Sequence, residues 1–167
     1  ILGPAIGRAV HRSLNLINFK DNTEKIKNIC SNCAYSEGIF SNTLDVENCV
    51  FKALSTNTIK NLQNNFSREV PISGKIGNSK YSGYIDLLIE NNDHYVIVDY
   101  KTDSINKKNS IESKVEKYSK QLATYSVLLK QNGIQKDIKA MFLFLDSSKD
   151  IEYEIADLSK IETAVSE

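Results

Sequence analysis

Residues 83–103 read Gly-Tyr-Ile-Asp-Leu-Leu-Ile-Glu-Asn-Asn-Asp-His-Tyr-Val-Ile-Val-Asp-Tyr-Lys-Thr-Asp. Two stretches rich in Tyr, Ile, Val and Leu flank the turn formers Asn91-Asn92-Asp93, the composition of a β-hairpin. With Asn92-Asp93 as a two-residue turn, Asn91 pairs with His94, and the continuing ladder sets Asp86 directly across from Asp99. Facing Cβ atoms on antiparallel strands lie about 5 Å apart, where like charges repel unless something neutralises them. A divalent cation would do so. Side chains alternate along a strand, so Asp99 and Lys101 share one face while Val96, Val98 and Tyr100 take the other. The plainer alternative is a solvent-facing hairpin with Lys101 as a surface counter-charge; the apolar set Ile85, Leu87 and Ile89, and Tyr95 and Ile97 on the face of Asp99, argue against it.

The chain has 167 residues, 41% hydrophobic and 25% charged, which suits one globular domain and excludes a disordered segment. No apolar run reaches the about 20 residues of a membrane span, and no signal-peptide pattern opens the chain, so the expected location is cytoplasmic with no membrane partner. It begins Ile-Leu-Gly-Pro without an initiator Met, the expectation for a piece of a longer polypeptide. Lys+Arg and Asp+Glu balance at 21 each, so affinity for nucleic acid must come from local patches. Candidates are Arg8 and Arg12 on one helix face, and Lys107, Lys108, Lys114, Lys117 and Lys120. Cys30, Cys33 and Cys49 are too few for the usual four-ligand zinc or iron–sulfur site and read as ordinary thiols.

Outside the hairpin, residues 5–17 form an amphipathic helix with Ile6, Val10, Leu14 and Ile17 as its apolar stripe. His11 lies beside that stripe one turn from Gly7, whose missing side chain leaves room above the imidazole. Residues 23–33 and 43–65 read as helices, and 66–72 as a strand that Pro71 confines to an edge or end. Gly74 to Asn78 reads as a turn. The polar stretch 104–110 is an expected mobile loop, followed by a helix over 111–131 that Gly133 stops, with Val115, Tyr118, Leu122, Tyr125 and Leu129 as its core stripe. Gln121 and Tyr125, four residues apart, share a helix face. Residues 138–145 read as a central strand buried on both faces, 151–155 as an edge strand and 157–165 as a last helix.

Five signatures in order resemble the nuclease domain of the RecB/AddA helicase–nucleases, within the PD-(D/E)xK restriction-endonuclease-like superfamily: Gly7 to Leu14 as Gly-x-x-x-His-x-x-Leu, Arg68-Glu69-Val70-Pro71, Gly83-Tyr84-Ile85-Asp86, Val98-Asp99-Tyr100-Lys101-Thr102-Asp103, and Gln121-Leu122-x-x-Tyr125. The resemblance implies a single α/β domain over residues 1–167, a mixed β-sheet flanked by α-helices. It implies His11, Asp86, Asp99 and the Tyr100 carbonyl as metal ligands, Lys101 as the catalytic lysine, and Glu69, Gln121 and Tyr125 as supporting active-site groups. Cluster-carrying relatives place a cysteine trio after the Gln-Tyr helix; no cysteine follows Cys49, which fits the type without an iron–sulfur cluster. The implied activity is Mg²⁺-dependent DNA hydrolysis, with Mn²⁺ also effective because imidazole suits it. The implied partners are single-stranded DNA, an upstream helicase domain of the same polypeptide and an AddB-like subunit, in double-strand-break repair. The alternatives are an inactive nuclease-like module that binds DNA or a protein, and a stand-alone phage- or CRISPR-type exonuclease.

Overall fold

A computed structural model describes residues 2–104, 110–147 and 151–167. The central hairpin has the anticipated register: β2 (Ser79–Glu90) pairs antiparallel with β3 (His94–Lys101) through Leu87–Val98, Leu88–Ile97, Ile89–Val96 and Glu90–Tyr95. Asn91 N–H closes the turn on the His94 carbonyl at 2.9 Å. Continuing that register by one rung sets Asp86 opposite Asp99. β1 (Phe66–Ile76), β4 (Asp137–Phe144) and β5 (Glu152–Glu154) complete a mixed sheet in the order β1-β2-β3-β4-β5. β3 is therefore the middle strand, and Ile97, Val98, Asp99 and Tyr100 are all buried, which rules out a half-exposed hairpin.

Pro71 lies within β1, an edge strand, where a missing N–H costs no second ladder. β1 runs beyond residue 72 to Ile76, and the turn shrinks from the expected Gly74–Asn78 to Gly77-Asn78, closed by the Ile76–Ser79 pair. Gly77 has φ +60°, the left-handed backbone that a first turn residue of the II′ kind requires. β4 is only partly the strand buried on both faces that its sequence suggests: Lys139 is exposed, and continuous burial begins at Phe142.

Among the described residues the chain forms two compact units. One is drawn from Ile1–Leu62, Tyr100–Ser104 and Leu143–Glu152. In it α1 (Leu2–Leu16), α2 (Thr23–Ser36) and α3 (Thr43–Ser55) pack on one another through Val10, Leu14, Ile26, Cys30, Val46 and Val50. The Asn22 side chain starts α2 by accepting the Lys25 N–H at 2.9 Å. The single helix expected over 43–65 is broken at Thr56, whose hydroxyl donates to the Ala53 carbonyl at 2.6 Å and accepts from Ile59 N–H at 3.3 Å. A threonine hydroxyl offering the backbone both bonds ends one helix and caps the next, α4 (Asn57–Lys60).

The other unit is drawn from Gln63–Asp99, Ile105–Phe142 and Tyr153–Glu167. It holds β1, β2, α5 (Ile111–Gln131) and α6 (Leu158–Ser166). α5 has the bounds read from sequence; Ser110 caps it and Gly133, at φ +98°, turns the chain out of it. Residues 105–109 of the expected loop, with Lys107 and Lys108, lie outside the described residues. Leu122, Tyr125 and Leu129 of the α5 stripe are buried, while Val115 and Tyr118 are half-buried. α5 approaches the β1–β2 hairpin where that hairpin lacks side chains. A Cβ at Gly74 would sit 2.8 Å from Leu128 Cδ2, and one at Gly83 would overlap the Tyr125 hydroxyl.

Gly83→Ala is therefore an overpacking change against a buried ring, expected to lower stability by about 1–3 kcal/mol. Thermal melts of both proteins check it; an unchanged melting temperature contradicts the packing described.

Candidate active site

The register that aligns Asp86 with Asp99 extends to β1. Arg68 pairs with Leu87 and Val70 with Ile85, so Glu69 occupies the rung of Asp86. Carried one residue past its last β2–β3 pair, and across the gap between the Arg68 and Val70 pairs of β1, the register places three carboxylate residues on one rung of three adjacent strands. Glu69 is exposed, Asp86 half-buried and Asp99 8% exposed. That rung is also where the β1–β2 ladder is interrupted, because Glu69 adopts φ +49°. A side chain larger than Gly in this region carries strain of about 1–3 kcal/mol, and such strain clusters at functional positions.

Tyr125 ties α5 to the same place. Its hydroxyl accepts a hydrogen bond from Gln121 Nε2 at 3.1 Å. Burial first, and then the negative charges of Asp99 and Asp86, hold its pKa above the ordinary value of 10.0. Both carboxylates are therefore within electrostatic reach of one phenol. The glycine of Gly83-Tyr84-Ile85-Asp86 has a reason that sequence alone did not give: the Tyr125 ring occupies the space its side chain would take.

In the other unit, His11 Nδ1 lies 2.8 Å from the Gly7 carbonyl. A carbonyl only accepts, so Nδ1 carries a proton and donates it; in the neutral ring this tautomer makes Nε2 the basic nitrogen. The His11 ring meets the Tyr100 ring edge-on at 5.8 Å between centroids. Gly7 does not make room for the imidazole as expected; a Cβ there would meet Thr102 Oγ1 at 3.1 Å. The helix glycine accommodates the threonine of Asp99-Tyr100-Lys101-Thr102. Lys101 closes β3, and its carbonyl accepts the Leu145 N–H at 2.8 Å.

Among the described residues no group of three or more His, Cys, Asp or Glu side chains is gathered to hold a metal ion. A Mg²⁺ site does not require one: one or two carboxylates, with waters and a substrate phosphate, complete its octahedron. Asp86 and Asp99, hard oxygen donors on facing positions, fit that donor set. The thiols do not. Cys30, Cys33 and Cys49 are buried and unbridged, and burial pushes Cys30 and Cys49 up to about 11, so both stay protonated near neutral pH. Of the basic candidates, Arg8 is held by Glu37 at 2.8 Å and Lys117 sits 5.0 Å over the Tyr118 ring.

The family model described as the PD-(D/E)XK nuclease superfamily matches residues 3–167, and the chain belongs to that superfamily. No curated protein matches it. No described helix is long and apolar enough to cross a membrane.

Two measurements address the row of carboxylates. Glu69→Gly relieves the positive φ and is expected to leave stability unchanged or raise it by up to about 1 kcal/mol, where an ordinary strand glycine lowers it. A clear loss in urea melts would contradict strain at Glu69. For Tyr125 the folded state retains the proton more tightly than the unfolded chain. Its contribution to stability is complete below pH 10 and is lost as pH rises through the folded pKa. Wild type should therefore lose more stability than Tyr125→Phe above pH 10; parallel losses would contradict the raised phenol.

Proposed function

We propose that this superfamily member is the metal-dependent deoxyribonuclease domain of an AddA/RecB-like helicase–nuclease, cutting single strands at double-strand ends during recombinational repair. The observation that carries the reading is the shared rung of Glu69, Asp86 and Asp99, with Lys101 two residues beyond Asp99 on the same strand. The order of the five signatures favours the helicase-associated type. A motor domain upstream in the same polypeptide would deliver the strand, an AddB-like subunit would complete the complex, and both would work in the cytoplasm.

In this reading Asp86 and Asp99 supply carboxylate oxygens to Mg²⁺ or Mn²⁺, the adjacent Tyr100 carbonyl supplies another oxygen, and waters and a substrate phosphate complete the coordination. When bound, the cation lowers the pKa of a coordinated water and draws charge from the phosphoryl oxygens. Lys101, on the strand of Asp99, orients the attacking water and stabilises charge that grows in the transition state, a contribution of a few kcal/mol. Gln121 holds the Tyr125 hydroxyl, and this pair positions the substrate strand beside the carboxylates. Glu69 presents a third carboxylate from the edge strand.

Asp99→Asn preserves shape and removes one of two facing charges. The variant should cut no DNA with Mg²⁺ or Mn²⁺, yet be at least as stable as wild type in EDTA. Excess Mg²⁺ should raise the wild-type melting temperature, since a ligand specific to the folded state stabilises it by mass action, and should move the variant much less. A cleaving Asp99→Asn protein would refute the metal assignment.

A further inference from the structure

A groove leads away from Gln121 and Tyr125 along the outer part of the β1–β2 hairpin. Its inner half, about 500 Å³, is lined by Tyr81, Ser82, Lys120, Gln121 and Tyr125 with the end of α6. Its outer half, about 410 Å³, shares Tyr81 and Ser82 and is bounded by Lys75 and Lys80. Tyr81 therefore stands where the two meet. It is 39% exposed, and its directly opposite partner on β1 is Gly74, which has no side chain to set against the ring. Leu128 and Gln131 of α5 come close enough to Gly74 to hold that position to glycine.

The charge of the groove departs from that of the chain. Three lysines and no aspartate or glutamate line its two halves, although acidic and basic residues balance at 21 each over the whole sequence. Among the described residues none of Lys75, Lys80 and Lys120 is held in an ion pair. Unneutralised ammonium groups beside a partly exposed aromatic ring are the two elements of a single-strand binder, one for phosphates and one for the face of a base. A duplex offers base edges in its grooves and keeps base faces stacked inside. Tyr81 can be used only by an unpaired base.

We propose that this groove binds single-stranded DNA on its way to the carboxylates, with one base stacked on Tyr81 and the backbone tracked by Lys75, Lys80 and Lys120. The inference deepens the nuclease reading above and rests on it for the identity of the polymer. It fixes a path: the strand enters over the Gly77-Asn78 hairpin end, passes Tyr81 and reaches Gln121 and Tyr125.

The test is fluorescence anisotropy of labelled oligo(dT) with the whole chain in EDTA, where binding is read without cleavage. Wild type should bind oligo(dT) at low salt and prefer it to blunt duplex. Tyr81→Ala should weaken binding about tenfold, and Tyr81→Phe, which keeps the ring, should restore it. Lys80→Gln with Lys120→Gln should reduce the slope of log affinity against log salt by about 1.4. Circular dichroism of each variant confirms folding, which substitution of these exposed side chains should spare. Wild-type affinity in Tyr81→Ala, an unchanged salt slope, preference for duplex, or no binding by wild type would each overturn the proposal. Tyr81-dependent binding by a protein that cuts no DNA with Mg²⁺ would support the groove and refute the nuclease reading; cleavage with binding indifferent to Tyr81 would do the reverse.

Discussion

Two carboxylates facing each other on adjacent strands near the middle of a sheet are the constraint around which this molecule is organised. Like charges so placed cost stability unless a positive group or a cation offsets them. Nothing in the packing of a hairpin calls for that cost. Leu87 against Val98 and Ile89 against Val96 fix the register, because a slip of one residue would turn every buried side chain of the strand to the opposite face. The apolar rungs thus dictate where Asp86 and Asp99 go, and in the proposed reading a divalent cation is what the two carboxylates bind.

The surroundings of this rung each involve a local compromise. Glu69 takes a backbone conformation that strand residues avoid, and the ladder lapses beside it. Gly83 surrenders a side chain so that Tyr125 can approach. In the other unit, separately from this rung, Gly7 likewise yields its side chain to Thr102. Tyr125 keeps its proton near two negative charges, anchored by Gln121. A sheet built only for stability would fill those glycines and straighten Glu69; departures of this kind are where function is expected to override local preference.

The parts legible in the sequence were those with strict periodicity. Alternation in residues 83–101 gave the hairpin, its turn and its register, and the stripe and caps of α5 gave its bounds. Residues 43–65 read as one helix in sequence but are divided at Thr56 by a hydroxyl whose two bonds depend on conformation. The turn near Gly74 was drawn too wide because glycine suggests a bend, whereas Gly74 is a strand residue made small by Leu128 and Gln131 of α5. The same long-range cause underlies Gly7 and Gly83: a glycine pattern signals close approach without naming the approaching side chain. The residue types of the candidate site were readable, including Gln121 and Tyr125 on one helix face. The strain at Glu69 and the shared rung of three acids needed the β1–β2 register, which no periodicity fixes, and the lysine groove around Tyr81 needed the meeting of hairpin and helices.

The central claim is that Asp86 and Asp99 jointly bind a catalytic cation. Crystals soaked in Mn²⁺ and measured near the manganese absorption edge test it most directly. The account predicts an anomalous peak within about 2.2 Å of a carboxylate oxygen from each of Asp86 and Asp99. A fully occupied manganese bound elsewhere, with both carboxylates unliganded, would contradict it.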